Sequence, residues 1–154
     1  MPDAKIRFRR AAQDDVAAIV ALIADDQLGA TREDPGPPLH QNYLDAFAAI
    51  DADPNQLLAV VDDAGQVAGC LQLTFVPGLS RLGSWRGQIE AVRIAASYRG
   101  TGVGRDFLTW AIGQCRERGC KLVQLTTDKS RPDAHKFYGG LGFTASHEGM
   151  KLRL

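Results

Sequence analysis

The sequence predicts an α/β domain, a mixed β-sheet covered by helices. Period-two apolar alternation near the start gives way to a 3.6-residue period. Two β-rich runs are joined by a short Asp/Gly turn. A strand then runs through a glycine cluster into a helix with an apolar face. The expected order is β-α-α-β-β-β-α-β-α-β-β. With 154 residues the chain has the usual size of one domain, expected to span 1–154.

Ile6 and Phe8 alternate with basic residues over 6–10, a first strand whose Arg7, Arg9 and Arg10 read as a solvated rim. Asp14 or Asp15 caps the next helix, where Val16, Ile19, Val20 and Ile23 form one face. Pro35-Gly36-Pro37-Pro38 rules out regular structure over 31–38. A second helix covers 40–52 with Tyr43, Phe47 and Ile50 on one side. Runs 57–61 and 67–76 read as a hairpin about the turn 62–66. A strand follows over 85–94, then a helix over 104–117 burying Phe107, Leu108, Ala111, Ile112 and Cys115. Gly119 stops that helix, and 122–126 reads as a buried strand. Ser130 and Asp133 have capping-box spacing before a short helix with Phe137 and Leu141 inside. Residues 143–154 can form two short strands joined near Glu148-Gly149.

Composition narrows the function. Hydrophobic residues at 45% exclude a disordered chain, and 18 basic against 18 acidic residues disfavour nucleic-acid or anionic-membrane partners. No run is long and apolar enough to span a bilayer. Met1 to Arg10 is charged and lacks the apolar run of a signal peptide, so a cytoplasmic protein is expected. Cys70, Cys115 and Cys120 form neither a disulfide framework nor a zinc set, and no metal is expected; Cys70 and Cys115 read as core residues.

The informative segment is Val92-Arg93-Ile94-Ala95-Ala96-Ser97-Tyr98-Arg99-Gly100-Thr101-Gly102-Val103-Gly104. Glycines allow close backbone approach, and the first N–H groups of a helix lack partners and attract phosphate. A P-loop would need Lys-Ser or Lys-Thr after the glycines, which is absent. A dinucleotide fingerprint would need glycine where Arg105 stands. The third reading is Arg-x-x-Gly-x-Gly, filled by Arg99, Gly102 and Gly104.

That block resembles the acyl-CoA pyrophosphate loop of the GNAT superfamily of N-acetyltransferases. Asp133-Ala134-His135-Lys136-Phe137-Tyr138-Gly139-Gly140-Leu141-Gly142-Phe143 resembles the same superfamily's late helix and strand. Together the blocks are highly specific, and the element order matches over nearly the whole chain, while 31–84 matches only in layout. The resemblance implies a strongly twisted mixed sheet splayed into a V, helices on both faces, and acetyl-CoA as cosubstrate. It implies that pantetheine pairs with Val92, Arg93 and Ile94, and that pyrophosphate sits on Arg99, Gly100, Thr101, Gly102, Val103 and Gly104. Asp133 and Phe137 adjoin it.

The reaction implied is direct acetyl transfer to a primary amine of a small molecule or a peptide. Tyr138 is the expected acid for the CoA sulfur. Glu90 is the base candidate: its strand should be central and buried, alternation puts Gln88, Glu90 and Val92 on one face, and burial would raise its pKa. A carboxylate paired with Arg86 or Arg93 is the equal alternative. Tyr43, Trp85 and Arg86, with Arg32 and Glu33, are candidates to meet the acceptor, and each also reads as core or solvated loop. His135 reads as a bystander. Homodimerisation is common in the family. The runner-up function is a CoA-binding module without turnover, and the third a nucleotide-binding domain using the same loop.

Overall fold

The computed structural model describes residues 5–154, so Met1 to Ala4 of the charged N-terminal segment lie outside the described residues. One sheet carries the fold, in the order β1 (Ile6–Arg10), β2 (Gln56–Asp63), β3 (Gln66–Val76), β4 (Arg86–Ile94) and β5 (Leu122–Leu125). The first four strands pair antiparallel. β5 joins β4 in parallel, which requires a crossover, supplied by the helix α4 (Val103–Glu117). Between β2 and β3 the two-residue loop Ala64-Gly65 has φ of 51° and 95°, the twist that suits a tight hairpin.

Each face of the sheet has its own core. α1 (Val16–Ala24) and α2 (Gln41–Ala52) bring Val16, Ile19, Val20 and Phe47 onto Val60 and Cys70. α4 brings Phe107, Leu108, Ala111 and Cys115 onto Leu71, Leu73 and Ile89 on the opposite face. α5 (Pro132–Gly140) adds Tyr138 to that second core, with Leu141 and Phe143 just beyond its end. A four-residue turn, α3 (Ser80–Gly83), leads into β4. Burial pushes the Cys70 thiol up to about 12 and the Cys115 thiol up to about 11, as befits core residues.

Helix α4 lies directly on β4, because Gly87 has no side chain to hold them apart. A Cβ there would overlap the Cys115 Sγ. Gly87→Ala is therefore expected to lower unfolding stability by about 1–3 kcal/mol through overpacking. Urea unfolding checks this; an unchanged midpoint would show that α4 can move aside.

Three expectations are corrected. Arg9 is not a solvated rim residue: it is partly buried and donates to the buried Asp62 carboxylate at 2.9 Å and to Asp15 at 2.7 Å, whereas Arg7 and Arg10 are exposed as a rim would be, Arg7 still reaching Asp62 through its Nε at 2.8 Å. The Ser130–Asp133 capping box does not form. The Ser130 N–H and hydroxyl both donate to Asp128, and Pro132 begins the helix with Arg131 at its N-cap. The two C-terminal strands are absent. A Lys129–Glu148 ion pair of 3.0 Å and a Gly149–Thr126 contact lead the chain past the end of β5. Met150, Leu152 and Leu154 alternate as a strand would, but among the described residues they pair with no strand and stay exposed.

Among the described residues no helix is long and apolar enough to cross a membrane, and no cluster of His, Cys, Asp and Glu could hold a metal ion.

Candidate active site

The sheet opens halfway along β4. Strands β4 and β5 pair only from Arg86 with Leu122 to Ile89 with Leu125, and beyond that point they part. Among the described residues no strand pairs with the outer edge of Glu90 to Ile94, so that stretch forms one wall of a V. Within it, Ala91 has a φ of 54°, a left-handed conformation that costs about 1 kcal/mol or more for a residue with a Cβ. Gln72 pairs with Glu90 and Cys70 with Arg93, so β4 carries one residue more than β3. This is a β-bulge, and the Cys70 thiol donates to the Ala91 carbonyl at 3.5 Å beside it.

The bulge corrects two expectations about Glu90. Val92 does not share its face: the extra residue reverses the alternation, so Arg93 follows Glu90 on one side, while Val92 and Ile94 pack with the α4 core. Nor is Glu90 buried. It lies one residue beyond the last β4–β5 pair, where the neighbouring strand no longer covers it, and it is exposed.

At the far end of the same wall lies the glycine turn. Gly100 and Gly102 have φ of 76° and 89°, and the space where their side chains would stand is open. Gly102 is the N-cap of α4, with no side chain to satisfy the first N–H groups of a 15-residue helix. Those donors and the helix dipole fit a pyrophosphate. At Gly104 a Cβ would stand 3.4 Å from Ile94 and 3.8 Å from Phe137, so the end of β4, the first turn of α4 and α5 meet there. Arg99 Nε donates to the Ile94 carbonyl at 3.2 Å, and Arg93 Nη1 donates to the Val92 carbonyl at 2.8 Å. Thr101 holds the turn by donating to the Tyr98 carbonyl at 2.6 Å. Val103 is buried at the start of α4, and Asp133 is exposed in the first turn of α5.

Tyr138 is half-buried on α5, edge-on to Phe137 and Phe143 with ring centroids at 5.3 and 5.9 Å. Burial pushes its phenol up from the ordinary value, and the charges of Arg93 and Arg131 pull it partly back. It is therefore protonated at neutral pH and within electrostatic reach of β4 beyond the bulge. These features can donate a proton beside an anion-binding turn.

The other candidates are spread more widely. Arg86 pairs with Val76 on the sheet face of Gln88 and Glu90. Trp85 instead packs with the α4 core, on the opposite face. Tyr43 organises the loop before α2: its hydroxyl donates to Glu33 and accepts from the Asp34 N–H, both at 3.0 Å. Arg32 pairs with Glu33 at 3.3 Å, and His135 is exposed.

Sequence reasoning missed a polar floor. Gln124 Nε2 donates to Gln88 Oε1 at 2.7 Å across β5 and β4, where the V begins. On the same face Gln72 and Thr74 both donate to Gln56, at 2.9 and 3.0 Å. The signal was available: Gln72 and Thr74 alternate with buried Leu71, Leu73 and Phe75. Asp26 and Arg131 were also missed. They lie 105 residues apart and are joined at 3.0 Å, which no local pattern announces.

A family model described as the acetyltransferase (GNAT) family matches residues 18–143. An aminoalkylphosphonate N-acetyltransferase of Salmonella typhimurium is 33% identical over 108 residues, 70% of each chain. A glucosamine 6-phosphate N-acetyltransferase of Trypanosoma brucei brucei is 35% identical over 91 residues, 58% of this chain and 59% of its own. A Bacillus halodurans C-125 protein, solved as a transcriptional regulator, superposes with a TM-score of 0.94 at 46% identity, over 97% of this chain and 99% of its own.

Proposed function

The chain belongs to the GNAT acetyltransferase family, and from that premise we propose that it moves the acetyl group of acetyl-CoA directly to a primary amine of a small molecule. The observation that carries the proposal is one meeting of parts. The unpaired stretch of β4 runs into the open glycine turn, and the protonated Tyr138 stands beside it.

In this reading the chain is one acetyltransferase domain over 1–154. The outer edge at Val92, Arg93 and Ile94 pairs with the pantetheine amides, and Arg99 to Gly104 holds the pyrophosphate beside Asp133 and Phe137. Glu90 takes the amine proton, directly or through one water. The amine then attacks the thioester carbonyl carbon. The backbone N–H of Val92 or Arg93 stabilises the developing oxyanion. The C–N bond forms, the C–S bond breaks, the Tyr138 hydroxyl gives its proton to the departing sulfur, and the second proton shed by the new amide nitrogen restores the tyrosine through water. Arg86 adjoins Glu90 on the acceptor side, and Tyr43 shapes the loop above it. The Trp85 ring acts from behind, by packing. The proposal places the reaction in the cytoplasm and needs no metal.

Thermal unfolding with and without acetyl-CoA tests the cofactor half of this reading. Ligand at 100 times its dissociation constant stabilises by about 2.7 kcal/mol, a shift of roughly 5–10 °C for a chain of this size. NAD and ATP at equal concentration are expected to give no comparable shift. The absence of any shift at millimolar acetyl-CoA would reduce the glycine turn to a structural feature. The Bacillus relative's description as a regulator favours a second reading, acyl-CoA binding without turnover. Thiol release against a panel of amines separates the two.

A further inference from the structure

We propose that Arg93 and Arg131 form a subsite for an oxyanion carried by the amine acceptor, so that the preferred acceptors are amines bearing a phosphonate, phosphate or carboxylate group. The inference rests on the acetyl-transfer reading for the identity of the ligand, and on geometry for the subsite.

Two guanidinium groups share one carboxylate oxygen. Arg93 Nε and Arg131 Nη2 each lie 3.0 Å from Asp26 Oδ2. The other oxygen, Asp26 Oδ1, accepts the Gly29 N–H. Burial alone would raise the Asp26 carboxyl, but the Gly29 N–H and the two arginines hold it at about 2, so it is ionised. The cluster thus has two positive charges against one negative. Asp128, close enough to Arg131 to feel its charge, is taken up by the Ser130 N–H and hydroxyl at 2.9 and 2.7 Å.

The donors are undersupplied with acceptors. Each guanidinium has five N–H groups in a fork suited to a carboxylate or phosphate. Arg93 Nε faces Asp26 off the line of its N–H and remains a buried donor without a hydrogen bond. Among the described residues, the Arg93 guanidinium is otherwise bonded only through Nη1 to the Val92 carbonyl, and the Arg131 guanidinium only through Nη2 to Asp26. Their side chains are 17% and 33% exposed, enough shelter to strengthen a charge-assisted bond while leaving a route in.

The location suits an acceptor. The bulge at Ala91 turns Arg93 onto the sheet face of Glu90 and Gln88, and both arginines act electrostatically on Tyr138. Three separate elements hold the pair: the end of α1 through Asp26, β4 through Arg93, and the N-cap of α5 through Arg131. The phosphates of acetyl-CoA are assigned elsewhere, to the turn at Arg99 to Gly104.

Calorimetric titration of the CoA-bound protein with 2-aminoethylphosphonate, β-alanine and propylamine tests the subsite without any turnover. The two amines that bear an oxyanion group are expected to bind at least about tenfold more tightly than propylamine, and their order tells phosphonate from carboxylate. Arg131→Gln is expected to weaken binding of those two amines about 10- to 100-fold. Asp26→Asn removes the competing negative charge and is expected to tighten them severalfold. The selectivity in kcat/KM for 2-aminoethylphosphonate over propylamine should move with these affinities.

Equal binding of amines with and without an oxyanion group would overturn the proposal, as would both substitutions shifting affinity in the same direction. A structural role for the cluster predicts that second outcome. If no amine supports thiol release, the acetyl-transfer reading fails, yet the titrations still decide whether Arg93 and Arg131 hold an oxyanion.

Discussion

Tyr138→Phe is expected to lower kcat about 10²- to 10⁴-fold, the usual range for losing a positioned general acid. The thermal shift with acetyl-CoA is expected to persist, because the glycine turn and the edge of β4 do not involve the hydroxyl. The substitution keeps the ring, so the edge-on contacts with Phe137 and Phe143 survive, and a loss of rate would report chemistry rather than packing. Burial raises the Tyr138 pKa above its ordinary value. As an acid it acts in the protonated form, so activity should hold through neutral pH and fall as pH rises through that raised pKa. The phenylalanine variant should lack this alkaline fall. A kcat within about twofold of the native enzyme would remove Tyr138 from the chemistry and leave it as a wall of the V.

Asp62→Ala is expected to lower unfolding stability by about 3–5 kcal/mol. Asp62 is 1% exposed, accepts from Arg7 and Arg9 at 2.8 and 2.9 Å, and accepts the Gly65 N–H of the hairpin turn at 2.7 Å. Its removal leaves the Arg9 guanidinium partly buried with one carboxylate, Asp15, in place of two. The hydrogen bonds from Arg9 and Arg7 hold the Asp62 carboxyl well below the usual carboxylate range. A depressed folded-state pKa contributes stability that is fully present above the unfolded value of about 3.9 and is lost as pH falls toward the folded one. Asp26, at about 2, and Asp15 act with the same sign. The gap between native protein and Asp62→Asn should therefore narrow between pH 5 and pH 2 on urea unfolding. A gap independent of pH would show that Asp62 acts by packing alone.

The elements were legible in the sequence wherever one face of one element decides its fate. Val16, Ile19, Val20 and Ile23 announce α1, and Phe107, Leu108, Ala111 and Cys115 announce α4, because burying a stripe needs only a 3.6-residue period. The hairpin followed from two β-rich runs around Asp and Gly. The glycine turn was legible because the positive φ of Gly100 and Gly102 is a backbone conformation that glycine alone permits freely. Tyr138 was singled out through its place after Phe137 in a resembling block.

The partners of charges were not legible. Arg9 read as a rim residue because nothing local shows that Asp62, more than fifty residues on, is turned inward to meet it. Asp26 and Arg131 belong to the same class. The face shared by Glu90 and Val92 was misjudged for another reason: strand parity is a running count, and the single extra residue at Ala91 reverses every side chain beyond it. The two short strands expected over 143–154 do not form, and Met150, Leu152 and Leu154 stay exposed, because a strand is made by the neighbour it pairs with and not by its own alternation.

By itself, then, the sequence determined the helices, the hairpin, the glycine turn and the family, since each rests on neighbours within a few residues or on a contiguous motif. The tertiary structure alone decided the bulge that aims Arg93, the exposure of Glu90, the unpaired tail and the two shared carboxylates. Those depend on which distant backbones come to lie side by side, and a charge or a register carries no local mark of the partner that will satisfy it.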